Sequence, residues 1–396
     1  MSDLTALYVH VPFCVKKCAY CDFYSVVDLS LVDGFVRSLT GEIALRGDHS
    51  AHIDTVYFGG GTPSLLSPDR MERILGAIGG NFTVSEGCEI TMEVNPGTVD
   101  FHYFQTLRRS GVNRLNLGVQ SFSDDRLNFM GRIHSAAVAQ KALSQARDAG
   151  FDNIGLDLIY GLPGDSEGAW IMDLDTALGF RPEHLSCYML SYEPGTPMHG
   201  LVEGGTIVPL GDGAVAGLFK LTSNYLCDRG YIHYEISNFA AGSSHQSRHN
   251  QKYWNHVPYL GFGPSAHSFQ NGVRSSNHRD VCRYTADLGA GRLPVAETET
   301  LTRDQILIEM IMLGLRTAKG VNLKEFDRIS NRGFLEMFST VVKDYERKQW
   351  GRVVNQRFFL TLDGRLFLDT IVAAFVDIIL GSRDKRQETR DKRHET

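Results

Sequence analysis

The sequence predicts an α/β protein, a partial (β/α)6 barrel followed by a smaller helical, winged-helix-like domain. Three observations carry that prediction. Short apolar runs alternate with helix-period segments over residues 1–190, the pattern of repeated β-α units around a parallel sheet. Glycines, carboxylates and amides gather at the C-terminal ends of those runs, the rim where sites form in such sheets. After about residue 200 the rhythm fades, and three helical segments with a hairpin follow from Thr302.

Taken in order, the strand-like runs are Ala6–Val11, Thr55–Phe58, Ile90–Val94, Arg114–Val119, Ile154–Ile159 and Leu185–Leu190. Between them, Leu31–Leu45, Pro68–Ile78, Phe101–Arg109, Ala136–Ala149 and Ala169–Leu178 read as helices. Ser67-Pro68 has the form of an N-cap with proline at the first helical position. Gly111 and Gly150 stand just past helix ends, where a left-handed residue is wanted. Each run ends in residues of chemical interest. They are Cys14-Val15-Lys16-Lys17-Cys18-Ala19-Tyr20-Cys21, Gly59-Gly60-Gly61-Thr62-Pro63, Glu93-Val94-Asn95-Pro96, Gln120-Ser121-Phe122, Asp157 ahead of Gly161-Leu162-Pro163-Gly164, and Tyr188 to Ser191. Each alone is weak, because a glycine turn is usually just a turn. Six on one rim predict a site.

The cysteine run carries the sharpest chemistry. Three thiols within eight residues, in a loop that leaves a strand, are expected to face one point. Thiolates are the ligands of iron–sulfur clusters, and three of them leave one iron of a four-iron cluster open to a small molecule. Zinc is the competing reading, with His10 as a fourth ligand, although structural zinc sites usually come as two ligand pairs. A c-type heme needs His directly after C-x-x-C, where this chain has Asp22.

C-x-x-x-C-x-x-C with an aromatic residue before the last cysteine resembles the signature of radical S-adenosylmethionine (SAM) proteins. Over essentially the whole chain the sequence is similar to their branch of HemW-type heme chaperones and oxygen-independent coproporphyrinogen III dehydrogenases. The resemblance implies a 4Fe-4S cluster on Cys14, Cys18 and Cys21, whose open iron takes SAM, and a radical formed when the sulfonium bond of SAM is broken. It also implies a SAM pocket from Tyr8, Tyr20, Gly60, Gly61, Thr62, Glu93, Gln120, Arg132 and Asp157. Carboxylates there would accept from ribose hydroxyls or the SAM ammonium, and Arg132 would pair with the SAM carboxylate.

The middle of the chain, residues 201–300, reads as an extension of the 1–200 barrel. It includes a helix over Asp212–Arg229, a strand over Tyr231–Ile236 and a hairpin turn at Asn271-Gly272. Within it, His249-Asn250-Gln251-Lys252-Tyr253-Trp254 matches the H-N-x-x-Y-W pattern of HemW-like proteins, which implies heme as a third cofactor with His249 as iron ligand. His245, His256 and His267 are neighbouring candidates.

Residues 301–381 form the predicted winged-helix-like domain. Thr302-Arg303-Asp304-Gln305 opens a helix to about Thr317; Asn322–Ile329, Arg332–Arg347 and Ile371–Leu380 follow, with a hairpin of Phe358–Thr361 and Arg365–Leu368 around Leu362-Asp363-Gly364. The near-repeat in 382–396 has no apolar residue and is expected to be disordered.

Composition sets the outer bounds. A formal charge of −6 argues against a nucleic-acid protein, and 42% hydrophobic residues suffice for a core. No apolar run is long enough to span a bilayer and residues 1–10 lack a signal-peptide pattern, so a cytoplasmic protein is expected. Cys88, Cys187, Cys227 and Cys282 stand singly and read as buried small hydrophobes.

Two readings of function separate on residues. The dehydrogenases carry a further cysteine two positions beyond the last cluster ligand and a longer N-terminal segment. This chain has Asp22-Phe23 after Cys21, and thirteen residues precede Cys14. The form C-x-x-x-C-x-Y-C-D-F favours a heme chaperone that delivers heme to acceptor hemoproteins, membrane-bound ones included, with a retained capacity to cleave SAM. An electron donor such as a flavodoxin or ferredoxin is implied, and a homodimer is compatible with that reading. Oxidative decarboxylation of coproporphyrinogen III is the alternative, and a zinc-stabilised binding module is a third.

Overall fold

The computed structural model describes the backbone of residues 4–394 and the side chains of residues 4–381. The chain divides into two compact units, the first made of residues 1–232, 237–249 and 258–299, the second of 233–236, 250–257 and 300–396.

The first unit is built on six parallel strands in sequential order: β1 (Leu4–Val11), β2 (Asp48–Gly60), β3 (Phe82–Val94), β4 (Arg114–Gln120), β5 (Ile154–Tyr160) and β6 (His184–Met189). Helices α1 (Val32–Leu45), α2 (Pro68–Asn81), α3 (Phe101–Arg109), α4 (Asp124–Phe129), α5 (Ala136–Asp148) and α6 (Glu167–Gly179) connect them. The sheet stays open. β1 takes Tyr259–Phe262 as a parallel neighbour on its free side, and β6 takes Asn238–Ala240 as an antiparallel one. The partial barrel of the sequence reading is therefore what forms. Leu7, Val9 and Val11 of β1, Leu39 and Ile43 of α1, and Leu115, Leu117 and Val119 of β4 share one core of fully enclosed side chains.

Strands β2 and β3 begin well before their apolar halves, because polar residues extend both along the ladder, with register shifts on the way. Gly111 and Gly150 have φ of 101° and 88°, so the helix ends before them need glycine. Ser67 stands at the start of α2 with no side-chain cap bond; Pro68 opens that helix alone. Asn271 (φ 52°) and Gly272 (φ 74°) make the two-residue turn joining His267–Gln270 to Val273–Asn277. Two of the four scattered cysteines depart from expectation. Cys88 and Cys187 are buried, but Cys227 and Cys282 are exposed at a helix end and a helix start.

The second unit contains helices Arg303–Arg316, Leu323–Ser330 and Phe334–Arg347, with a three-stranded sheet of Val321–Asn322, Arg357–Leu360 and Gly351–Val354. Thr302 and Gln305 form a reciprocal capping box on the first helix. Phe326, Phe334, Phe338, Phe358 and Phe375 fill the centre, with Phe334–Phe338 and Phe338–Phe375 ring centroids 4.8 Å apart. The expected hairpin is corrected. Arg357–Leu360 pairs backward with Gly351–Val354 across Asn355-Gln356, whose φ values of 50° and 62° suit a primed turn. Leu362–Arg365 is instead a short helix, because Thr361 accepts from the Gly364 N–H as its N-cap.

The last helix runs Leu368–His394, through most of the stretch read from sequence as disordered. Arg, Lys, Glu and Gln are good helix formers, so an existing helix propagates into such a segment. Residues 395–396 of that stretch lie outside the described residues. Among the described residues, no helix is long and apolar enough to cross a membrane.

Candidate cofactor site

The C-terminal rim of β1–β6 encloses a cavity of about 550 Å³. Eleven of the thirteen sequence-predicted site residues line it: Cys14, Cys18, Cys21, Tyr20, Gly60, Gly61, Thr62, Glu93, Gln120, Arg132 and Asp157.

The loop after β1 is pinned at its base. Phe13 bridges Val26, the Cys14 N–H donates to the Val26 carbonyl at 3.0 Å, and the Val26 N–H donates to the Pro12 carbonyl at 2.7 Å. That closure holds all three thiols at one cavity. Two already have donors, Thr62 Oγ1 at 3.4 Å from Cys14 Sγ and Arg132 Nη1 at 3.4 Å from Cys18 Sγ. Among the described residues, no three His, Cys, Asp or Glu side chains are grouped closely enough for a single metal ion. His10, the zinc reading's fourth ligand, is otherwise engaged. Its Nε2 lies 2.9 Å from the Tyr24 carbonyl and its Nδ1 3.1 Å from the Tyr8 hydroxyl. Burial drives its pKa down to about 4, so the ring is neutral.

The glycine turn is needed for close approach. Gly60 has φ 108°, and a Cβ there would stand 2.6 Å from the His10 ring. A Cβ on Gly61 would stand 2.6 Å from the Phe13 carbonyl oxygen. Neither backbone position tolerates a side chain.

The far wall is charged. Arg132 donates through Nη2 to the Gly118 carbonyl at 2.8 Å, and its Nε is buried with no partner. Asp157 accepts from Asn116 Nδ2 at 2.6 Å through Oδ2, while Oδ1 is buried with no partner. Tyr57 donates its hydroxyl to Glu93 Oε1 at 2.8 Å. Burial first, and the Asp157 charge second, push the Glu93 carboxyl up to about 7; burial also raises Asp157. A strand irregularity between Gly118 and Gln120 re-aims Gln120, which sits at φ 68°, into the cavity.

Residues 8–177 match the Radical SAM superfamily, and residues 301–367 match the HemN C-terminal domain. The heme chaperone HemW of Bacillus subtilis is 32% identical over 377 residues, covering 94% of this chain and 99% of that protein. The chain belongs to the HemW family of radical SAM proteins. HemW of Escherichia coli is likewise 32% identical, over 94% of this chain and 98% of its own length. A zebrafish mitochondrial protein named for its radical S-adenosyl methionine domain is 31% identical over 91% of this chain and 82% of its own. The structure described as coproporphyrinogen III oxidase (HemN) from E. coli superposes with a TM-score of 0.83 at 22% identity, over 94% of this chain and 90% of that one, which shows the shared fold. Membership of the radical SAM superfamily implies a 4Fe-4S cluster and SAM for this HemW-family chain.

The residues around the cavity fit those groups. Thiols held in no disulfide, an orphaned guanidinium nitrogen and an orphaned carboxylate oxygen are the donors and acceptors a cluster and a zwitterionic, cationic small molecule need. Two expected residues are placed elsewhere. Tyr8 does not line the cavity; its ring packs 6.2 Å from Tyr57. His249 does not line it either, and is wholly enclosed, 0% exposed. Sequence reasoning missed Asn116, which orients Asp157, and Tyr57, which orients Glu93. The signal was alternation. In Arg114-Leu-Asn-Leu-Gly-Val-Gln120 every second residue is polar or glycine on an otherwise apolar strand, and Asn116, Gly118 and Gln120 of that series line the cavity.

Proposed function

We propose that this chain is a heme chaperone that binds heme and delivers it to acceptor hemoproteins in the cytoplasm, carrying a 4Fe-4S cluster and a SAM site in the barrel. The observation that carries the reading is the cysteine loop, with Asp22-Phe23 in place of a fourth cysteine, inside a chain that matches HemW proteins almost end to end.

Cys14, Cys18 and Cys21 would hold the cluster. Arg132 and Asp157, each with an orphaned buried atom, would bind the charged groups of SAM, and Gly60 and Gly61 in the cavity lining would present bare backbone to it. When bound, the pair supplies one-electron reduction and a carbon radical. The chain's own part is to orient and shield. The neutral His10 and the protonated Tyr57 back the lining residues Gly60 and Glu93 without adding charge, and Glu93 exchanges a proton near neutral pH.

Anaerobically reconstituted protein given SAM, a strong reductant and coproporphyrinogen III tests this. No porphyrin product, 5′-deoxyadenosine still formed, and saturable heme binding are expected. Protoporphyrinogen formation would make the chain a dehydrogenase despite Asp22-Phe23.

A further inference from the structure

The H-N-x-x-Y-W segment bears the resemblance to heme-binding sequences, yet its histidine sits among the side chains that shape the SAM-site wall. We propose that His249 is a positioning residue for the Glu93 carboxyl group, acting through the Tyr57 ring, and not a ligand to heme iron. The proposal rests on the reading of the cavity as a SAM site.

His249 is fixed from two sides. Its Nδ1 is 3.0 Å from the hydroxyl of Thr55, itself 0% exposed. The backbone N–H groups of Arg248 and His249 donate to the two oxygens of Glu89 at 3.3 and 3.1 Å. Glu89 is 7% exposed and lies 3.6 Å from Arg114 Nη1. A buried, paired carboxylate thus binds the first residues of the segment to β3. Freeing the imidazole for a macrocycle would break the Thr55 bond, while the Glu89 bonds hold the backbone that carries it in place.

From that position the ring supports the cavity wall. The His249 and Tyr57 rings are stacked, 5.0 Å between centroids at 28°. Tyr8 packs on Tyr57 at 6.2 Å and 25°, and approaches His249 at 6.4 Å. Tyr57 then spends its hydroxyl on Glu93 Oε1 at 2.8 Å. There is little slack at that end, since a Cβ on Gly59 would stand 3.0 Å from Tyr57 Cε1 and 3.1 Å from Glu93 Oε1. A tilt of the Tyr57 ring is therefore passed to the carboxyl group. Thr55, Tyr57 and Gly59 alternate along one face of β2, as Glu89 and Glu93 do on β3, so one sheet face carries the whole relay.

The test uses the full chain, loaded anaerobically with iron and sulfide, as parent, His249→Ala, His249→Phe and Tyr57→Phe. Each is titrated with SAM between about pH 5 and pH 8.5, and separately with hemin. Loss of the Tyr57 hydrogen bond raises the Glu93 pKa, so His249→Ala and Tyr57→Phe are expected to weaken SAM about tenfold and move its pH midpoint upward. His249→Phe keeps a flat ring against Tyr57 and should restore SAM binding to within about threefold of the parent. Hemin affinity should stay within about twofold throughout. An unchanged SAM curve in His249→Ala, with hemin binding lost in both His249 variants, would overturn the proposal. Should the alanine variant not fold, Thr55→Val loosens the ring without emptying its space and carries the same expectation. Should the parent bind no SAM, the cofactor reading fails. The relay is then read on the carboxyl infrared band that Glu93→Gln removes: a midpoint displaced upward in His249→Ala supports the relay, and an unmoved one overturns it.

Discussion

Arg132 Nη1 points at Cys18 Sγ from 3.4 Å while Nη2 of the same guanidinium holds the Gly118 carbonyl at 2.8 Å. One side chain thus ties the cysteine loop to the end of β4 and still presents a partnerless Nε. Arg132→Met is expected to weaken SAM about 10- to 100-fold, the loss of one or two charge-assisted hydrogen bonds. Iron and sulfide content should hold, because no cluster ligand is removed. Calorimetric titration beside metal analysis separates the two; loss of iron as well would make Arg132 a structural prop.

The three cysteines should behave as a set. Cys14→Ala, Cys18→Ala and Cys21→Ala are each expected to abolish acid-labile sulfide and the visible charge-transfer absorption. A single variant retaining full iron and sulfide would remove that cysteine from the cluster.

Gly61→Ala should act through backbone. Its Cβ would press on the Phe13 carbonyl at 2.6 Å, and Phe13 with Val26 closes the cysteine loop. A loss on the order of 2–3 kcal/mol in unfolding free energy, with iron loading reduced, is expected from chemical denaturation and metal analysis. Gly76→Ala, with nothing within 4 Å of the added carbon on α2, is the control and should not destabilise.

Glu93 makes the ligand-free protein pH-sensitive in a definite direction. Its folded pKa, about 7, lies above the ordinary 4.5, so the folded state holds a proton that the unfolded chain has already released. Its contribution is fully present below about pH 4.5 and is lost as pH rises toward 7. Relative to Glu93→Gln, the parent should lose on the order of 3 kcal/mol across that window. A flat difference between the two denaturation series would contradict the assignment.

The barrel and most of its rim were legible because strand periodicity and turn chemistry agree over residues 1–190. Phe101–Arg109 is recovered to the residue. The cysteine loop and the glycine turn could be found from sequence because each is a local motif, whereas Arg132 came only from the family resemblance. Alternation along β4 marks the face of Asn116 but not its partner Asp157, and Tyr57 and the burial of His249 leave not even that signal. Their meaning comes from neighbours on adjoining strands, and a separation of 194 positions between Thr55 and His249 leaves no local trace. The misplaced hairpin has a similar cause. Leu362-Asp363-Gly364 carries good turn residues, but the preceding Thr361 makes the same letters a helix start.

The parallel pairing of β1 with Tyr259–Phe262 has a consequence for biosynthesis. The strand that launches the cysteine loop joins β2 early, but its other side waits for residues 253 positions beyond Val9, the partner of Phe262. At about 5–20 residues per second, that is roughly 13–50 s of translation during which β1 is an uncovered edge on the ribosome. Metal loading in that interval would meet a loop whose foundation is half built. Which strands are neighbours thus sets when the base of that loop can be finished: not before Tyr259–Phe262 have been made.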